Sequence, residues 1–130
     1  MSKKTGIACC LGEYKDFTGV IMWGETEGVV ENAAFELGMV SIFKIIIFRS
    51  GVWQNGFWDN GRFVNGTWHD GTWDYGTWED GCWEDGTWKD GIWWDGTWET
   101  GVWIDGTWKR GMDENGVKHS DSPDNWNEQK

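Results

Sequence analysis

The sequence predicts an all-β protein, a repeat β-solenoid built from five-residue Gly-x-Trp-x-Asp units. Three observations carry that expectation. Glycine recurs at 51, 56, 61 and every fifth position to 116, an aromatic stands two places after it at twelve successive sites, and Asp or Asn closes most units. The positions expected to form the core are Trp53, Trp58, Phe63, Trp68, Trp73, Trp78, Trp83, Trp88, Trp93, Trp98, Trp103 and Trp108. A fixed short period of this kind marks a repeat architecture.

Period five does not suit a helix. Around a 3.6-residue spiral each Trp turns by about 140° from the last, leaving no stripe, and each interior Gly costs roughly 1 kcal/mol. In a strand, x-Trp-x sends the ring one way and its neighbours the other, and Asp-Gly makes a corner. An antiparallel meander would need one hydrogen-bonding class at both ends of every three-residue strand, which antiparallel pairing does not supply. A solenoid stacks each strand on the one a full coil earlier, so every unit is equivalent. Gly two places before Trp is expected to leave room for the indole and to tolerate the corner backbone.

Coil length stays open between ten and twenty residues. The residues after Trp in alternate units read Asp59, His69, Glu79, Lys89, Glu99 and Lys109. A ten-residue coil would stack these acid on base at about 4.8 Å. Twenty residues would stack like charges but open a wider lumen.

The flanks are less regular. Gly28, Ala33 and Gly38 precede Val30, Phe35 and Val40 by two places, after which FKIIIFRS (43–50) slips the phase by three before Gly51 restarts it. Residues 28–50 are expected to form an opening coil or capping strands, since terminal repeats must close an apolar end. Residues 1–27, with short strands around Gly19 and Gly24, read as a head or attachment segment. Residues 112–130 lose the aromatic and read as a polar flexible tail.

Composition narrows the function. Fourteen tryptophans argue against disorder, and 22 acidic against 11 basic residues give a net charge of −11. That disfavours nucleic acid and anionic membranes and favours cations or basic partners. The start lacks the apolar run of a signal peptide, and the segment 39–48, interrupted by Lys44, is too short to span a bilayer. Cys9, Cys10 and Cys82 make no disulfide framework and fit a reducing cytosol, and the adjacent Cys9 and Cys10 lack further metal ligands at usable spacing.

The units GTWEDG, GTWKDG and GVWIDG resemble the Gly-x-Trp pentad arrays of tailed-bacteriophage proteins. They are also similar to the pentapeptide-repeat family, with Gly in the small place, Trp in the large one and mostly Thr where that family has Asp or Asn. That resemblance implies a four-sided right-handed β-helix. A weaker likeness to MORN repeats, which contain similar Gly-x-Trp-x-x-Gly strings, implies an antiparallel ribbon as the alternative. The phage resemblance implies a structural or attachment component of a virion, made in the host cytoplasm, whose partners are itself and other virion proteins.

Candidate chemistry is sparse. Asp70, Asp80 and Asp90 would share one corner of a ten-residue coil and could hold Ca²⁺, although Asp before Gly is ordinary turn chemistry. Trp94 follows Trp93 and so faces outward, where Val64 and Ile104 would join it in an apolar partner patch. Exposed Trp faces would instead suit a cell-surface glycan, but a bare stripe of indoles would aggregate, so burial is the preferred reading. His69 and His119 are too far apart to suggest an acid–base or metal site, and the expectation is a non-enzymatic protein without a cofactor.

Overall fold

The computed structural model describes residues 14–23, 25–40 and 43–129, and these are almost entirely β, with no α-helix among them. Cys9, Cys10, Gly24 and the start of the head segment lie outside the described residues. The repeat winds into a β-solenoid whose strands pair in parallel, as the unit pattern predicts.

Each unit contributes one short strand to one side of the coil. Trp53 stands beside Trp68, Trp68 beside Trp83 and Trp83 beside Trp98, so the coil holds 15 residues in three units. A second side stacks Trp58, Trp73, Trp88 and Trp103. The third stacks Phe48, Phe63, Trp78, Trp93 and Trp108. About four coils result. The coil is therefore neither ten nor twenty residues long, and it is three-sided where the pentapeptide-repeat likeness implied four.

Packing explains three sides. Along each stack the rings lie parallel, with Trp68 and Trp83 centroids 4.8 Å apart at 4°. Between sides they meet edge to face, as with Trp68 and Trp73 at 5.7 Å and 69°. Both geometries suit the ring quadrupole, and three indoles per coil already touch their neighbours on the other two sides. All twelve core positions are buried, from fully enclosed at Trp53 to 9% exposed at Trp108. Some indoles also donate outward to a corner carbonyl of the coil above: Trp73 Nε1 to Asp90, Trp78 to Asp95 and Trp93 to Arg110, each at 3.1 Å. Trp53, Trp58, Trp68, Trp83 and Trp88 have no such partner among the described residues.

The corners show what glycine is for. Gly86 has φ +119°, and a Cβ there would fall within 3.0 Å of the Gly71 backbone directly below. Its next neighbour would be Trp68 Nε1 at 3.2 Å. The missing side chain thus admits the backbone one coil below, rather than the indole two places on that the sequence suggested.

The N-terminal strands cap one end by a different route. Strand β1 (Tyr14–Trp23) pairs antiparallel with β2 (Thr26–Val40), which pairs antiparallel with β3 (Phe43–Trp58). β3 is also the first coil, carrying the next one in parallel on its other edge. β2 runs backward beneath it, setting Val30 against Trp53 and Phe35 against Phe48. Phe48 stacks on Phe63 at 4.6 Å and 7°. The apparent phase slip over 43–50 is thus no slip for the aromatic position. Only the glycine is missing, replaced by Ile46, which faces Leu37 of an antiparallel strand.

The C-terminal residues are ordered rather than the loose tail their polarity suggested. Gly111–Met112 pairs antiparallel with Lys118–His119, and a 3-10 helix follows over Pro123–Gln129. Pro123 is buried, Trp126 packs edge-on against Trp108 at 5.4 Å, and Trp108 Nε1 donates to the His119 carbonyl at 3.0 Å. These residues cover the last ring of the stack. Among the described residues no helix is long and apolar enough to cross a membrane.

Candidate functional site: the outer faces of the solenoid

With the interior filled by rings, recognition is left to the residues flanking each Trp, which point outward. The 15-residue coil decides which of them meet. Thr67 and His69, Cys82 and Glu84, and Thr97 and Glu99 share the first side. Thr72 and Asp74, Thr87 and Lys89, and Val102 and Ile104 share the second. Arg62 and Val64, Thr77 and Glu79, Ile92 and Trp94, and Thr107 and Lys109 share the third.

The charges pair at this spacing, not at ten. His69 Nδ1 lies 2.6 Å from Glu84 Oε1, Lys89 Nζ 3.8 Å from Asp74 and Arg110 Nε 3.2 Å from Asp95. Arg62 pairs with Glu79. The bond to Glu84 raises the His69 pKa above its ordinary value. Partial burial, then the facing Asp74 and the nearby Glu25, raise Asp59. These are exposed pairs, each worth at most about 1 kcal/mol.

The expected apolar patch of Val64, Trp94 and Ile104 does not assemble. Val64 and Trp94 share the third side but Glu79 lies between them, and Ile104 faces out from the second. The exposed apolar residues gather as pairs within one strand instead: Ile92 with Trp94, 48% exposed, and Val102 with Ile104, 56% exposed. Lys109 covers one face of Trp94, with Nζ 5.2 Å from the ring centroid. Near Ile92 a hollow of about 320 Å³ is lined by Ile45, Arg62, Tyr75 and Thr77.

The expected calcium corner is also dispersed. Asp70, Asp80 and Asp90 fall at three different corners, because ten residues are two thirds of a coil. Each accepts a 2.8 Å hydrogen bond from the next residue, Gly71 N–H, Gly81 N–H and Gly91 N–H respectively. This is turn chemistry that leaves the carboxylates capping the backbone.

The same register creates a cluster the sequence did not suggest. Cys82 Sγ lies 3.3 Å from Glu99 Oε2, and the donor atoms of Cys82, Glu84 and Glu99 all fall within 4.8 Å of one another. Burial, then the hydrogen bond to Glu99, pushes the Cys82 thiol up to about 12. The signal that could have revealed this group was Phe48 and Phe63, the two phenylalanines of the aromatic series, 15 residues apart.

His119 belongs to the C-terminal cap. Its Nε2 lies 2.9 Å from Asp113 Oδ2, and its ring stacks on Trp126 at 3.9 Å. The His119 bond, aided by the Val117 and Asn115 amides, lowers the Asp113 pKa. Above the cap's edge a hollow of about 440 Å³ is lined by Trp98, Glu99, Val102, Trp103, Pro123 and Trp126.

No protein-family model, curated protein or solved structure matches the chain.

Proposed function

We propose that the chain is a non-enzymatic structural and assembly protein, a virion component such as a tail, fibre or head appendage of a bacteriophage. The observation that carries this reading is the continuous ring stack, with Trp53, Trp58, Trp68, Trp73, Trp78, Trp83, Trp88 and Trp93 all fully enclosed. A core of that kind holds a stiff shape without any ligand, and it leaves no interior space for chemistry. The N-terminal strands attach, the solenoid extends, and the outward pairs Ile92/Trp94 and Val102/Ile104 meet another copy or another virion protein. The resemblance of the units to Gly-x-Trp arrays of tailed phages supplies the setting. The acidic surface makes nucleic acid and anionic membrane poor partners.

The glycan-binding alternative loses its stripe of Trp faces to burial and rests on Trp94 alone. Mass spectrometry of purified particles from the source culture tests the main reading. The chain is expected at a fixed ratio to the capsid protein, and its absence from particles that still infect would overturn the proposal. Light scattering on the isolated chain is expected to report an oligomer, whereas a compact monomer at high concentration would count against self-assembly.

A further inference from the structure

The geometry points to a binding site for a zinc-class divalent cation on the first side of the solenoid, formed by Cys82, Glu84 and Glu99 with His69 as a positioning residue. Parallel pairing sets Cys82 beside Thr97, with Glu84 two places after Cys82 and Glu99 two places after Thr97. Thiol and carboxylates therefore project from adjacent strands on the same outward face. Their donor atoms already lie within 4.8 Å of one another, and Cys82 Sγ and Glu99 Oε2 are 3.3 Å apart. A tetrahedral ion with bonds of roughly 2.0–2.3 Å holds its ligands about 3.5 Å apart, so small side-chain rotations close the set.

Charge points the same way. Glu84 and Glu99 occupy one column on neighbouring coils, where like carboxylates repel. Among the described residues neither is paired with a lysine or arginine. By contrast, Asp74, in the equivalent place on the second side, faces Lys89. His69 Nδ1, 2.6 Å from Glu84 Oε1, fixes one oxygen of that carboxylate and leaves the other free, the usual second-layer arrangement around a ligating group.

The donor set selects the ion. Calcium and magnesium take six or more oxygens, while a thiolate with two carboxylates suits zinc or cobalt. On binding, the Cys82 S–H bond breaks, the sulfur pair forms the S–metal bond, and the proton leaves to solvent. Three protein ligands leave the fourth position to water.

The test uses the full chain carrying Cys9→Ser and Cys10→Ser, so that Cys82 is its only thiol. Co²⁺ is titrated under anaerobic, reducing conditions. The expected result is saturation at one equivalent, a sulfur-to-cobalt charge-transfer band, d–d bands of four-coordination, and loss of both on adding Zn²⁺. Cys82→Ser should abolish the charge-transfer band, Glu84→Gln and Glu99→Gln should each weaken binding at least tenfold, and His69→Ala about tenfold. Trp emission in the same cuvette reports that each variant is folded. Absence of a saturable band, a charge-transfer band that survives Cys82→Ser, or a folded Glu99→Gln variant that titrates like its parent would overturn the site.

Discussion

The N-terminal strands and the solenoid close the same three-sided core with different sequences. In the solenoid the inward position is almost always Trp and the corner always Gly. In β1–β3 the buried residues are Ile21, Val30, Ala33, Ala34, Phe35, Ile46 and Phe48. The difference lies in the backbone. A parallel coil gives every unit the same surroundings, so one solution repeats. β2 runs against β3 and must turn the same corners through register shifts between Val29 and Val30, between Glu31 and Ala34, and between Ala34 and Phe35. At one of these bends Asn32 adopts φ 51°, and its N–H donates to Thr18 Oγ1 at 3.0 Å. Sequence periodicity therefore reports equivalence of backbone, while burial reports the core, and the two part company at the cap.

Truncation should separate the two regions most sharply. Trp88→Ala removes a fully enclosed indole from a stack with no room to collapse and is expected to cost about 3–5 kcal/mol in denaturant unfolding. Val30→Ala, equally buried but in the irregular cap, should cost about 2 kcal/mol. Equal losses would erase the distinction.

Corner glycines come next. Gly86→Ala places a methyl against the backbone below at φ +119° and is expected to cost at least about 2 kcal/mol. Gly116, at φ +83° with open space around it, should lose only about 1 kcal/mol as Ala. At the other end, Trp126→Ala should cost about 1–2 kcal/mol. It should also speed amide exchange in the last coil, around Val102–Trp108, while leaving β3 protected. Uniform acceleration would mean that the C-terminal residues do not act as a local cap.

The surface should matter least. Asp85→Ala loses the 2.8 Å bond from Gly86 N–H and should cost about 1 kcal/mol. The His69–Glu84 pair should give a small pH dependence. Because the folded His69 pKa is raised, its contribution is present below the unfolded value of 6.5 and fades as pH rises through the folded one. The His69→Ala variant should lack that step. Asp113 behaves oppositely. Its lowered pKa gives a contribution present above 3.8 that fades as pH falls through the folded value.

Much of this was legible in the sequence. Gly, Trp and Asp at fixed offsets sufficed for the solenoid and for inward Trp, because strand alternation leaves the ring one direction to face. Coil length was not read correctly. Thr67, Thr77, Thr87, Thr97 and Thr107 repeat at ten and suggest a two-unit coil, but those residues face solvent, where composition answers to charge and solubility rather than to register. The interior pair Phe48 and Phe63 carried the true spacing. Misreading it dispersed the expected Asp70/Asp80/Asp90 corner and hid the Cys82/Glu84/Glu99 cluster, whose members approach one another only on a 15-residue coil. The cap over Trp108 was obscured by polarity, since Pro123 and Trp126 are its main apolar anchors among acidic and amide residues.

Paired cysteines test the coil most directly, in a chain whose Cys9, Cys10 and Cys82 are Ser. Thr72→Cys with Thr87→Cys joins register partners on one side, at the sheet spacing of about 4.8 Å that a disulfide can bridge. Thr67→Cys with Thr77→Cys places two thiols ten residues apart on different sides. The account predicts that mild oxidation closes the first pair and leaves the second as free thiols. Closure of the ten-residue pair with the fifteen-residue pair left open would contradict it.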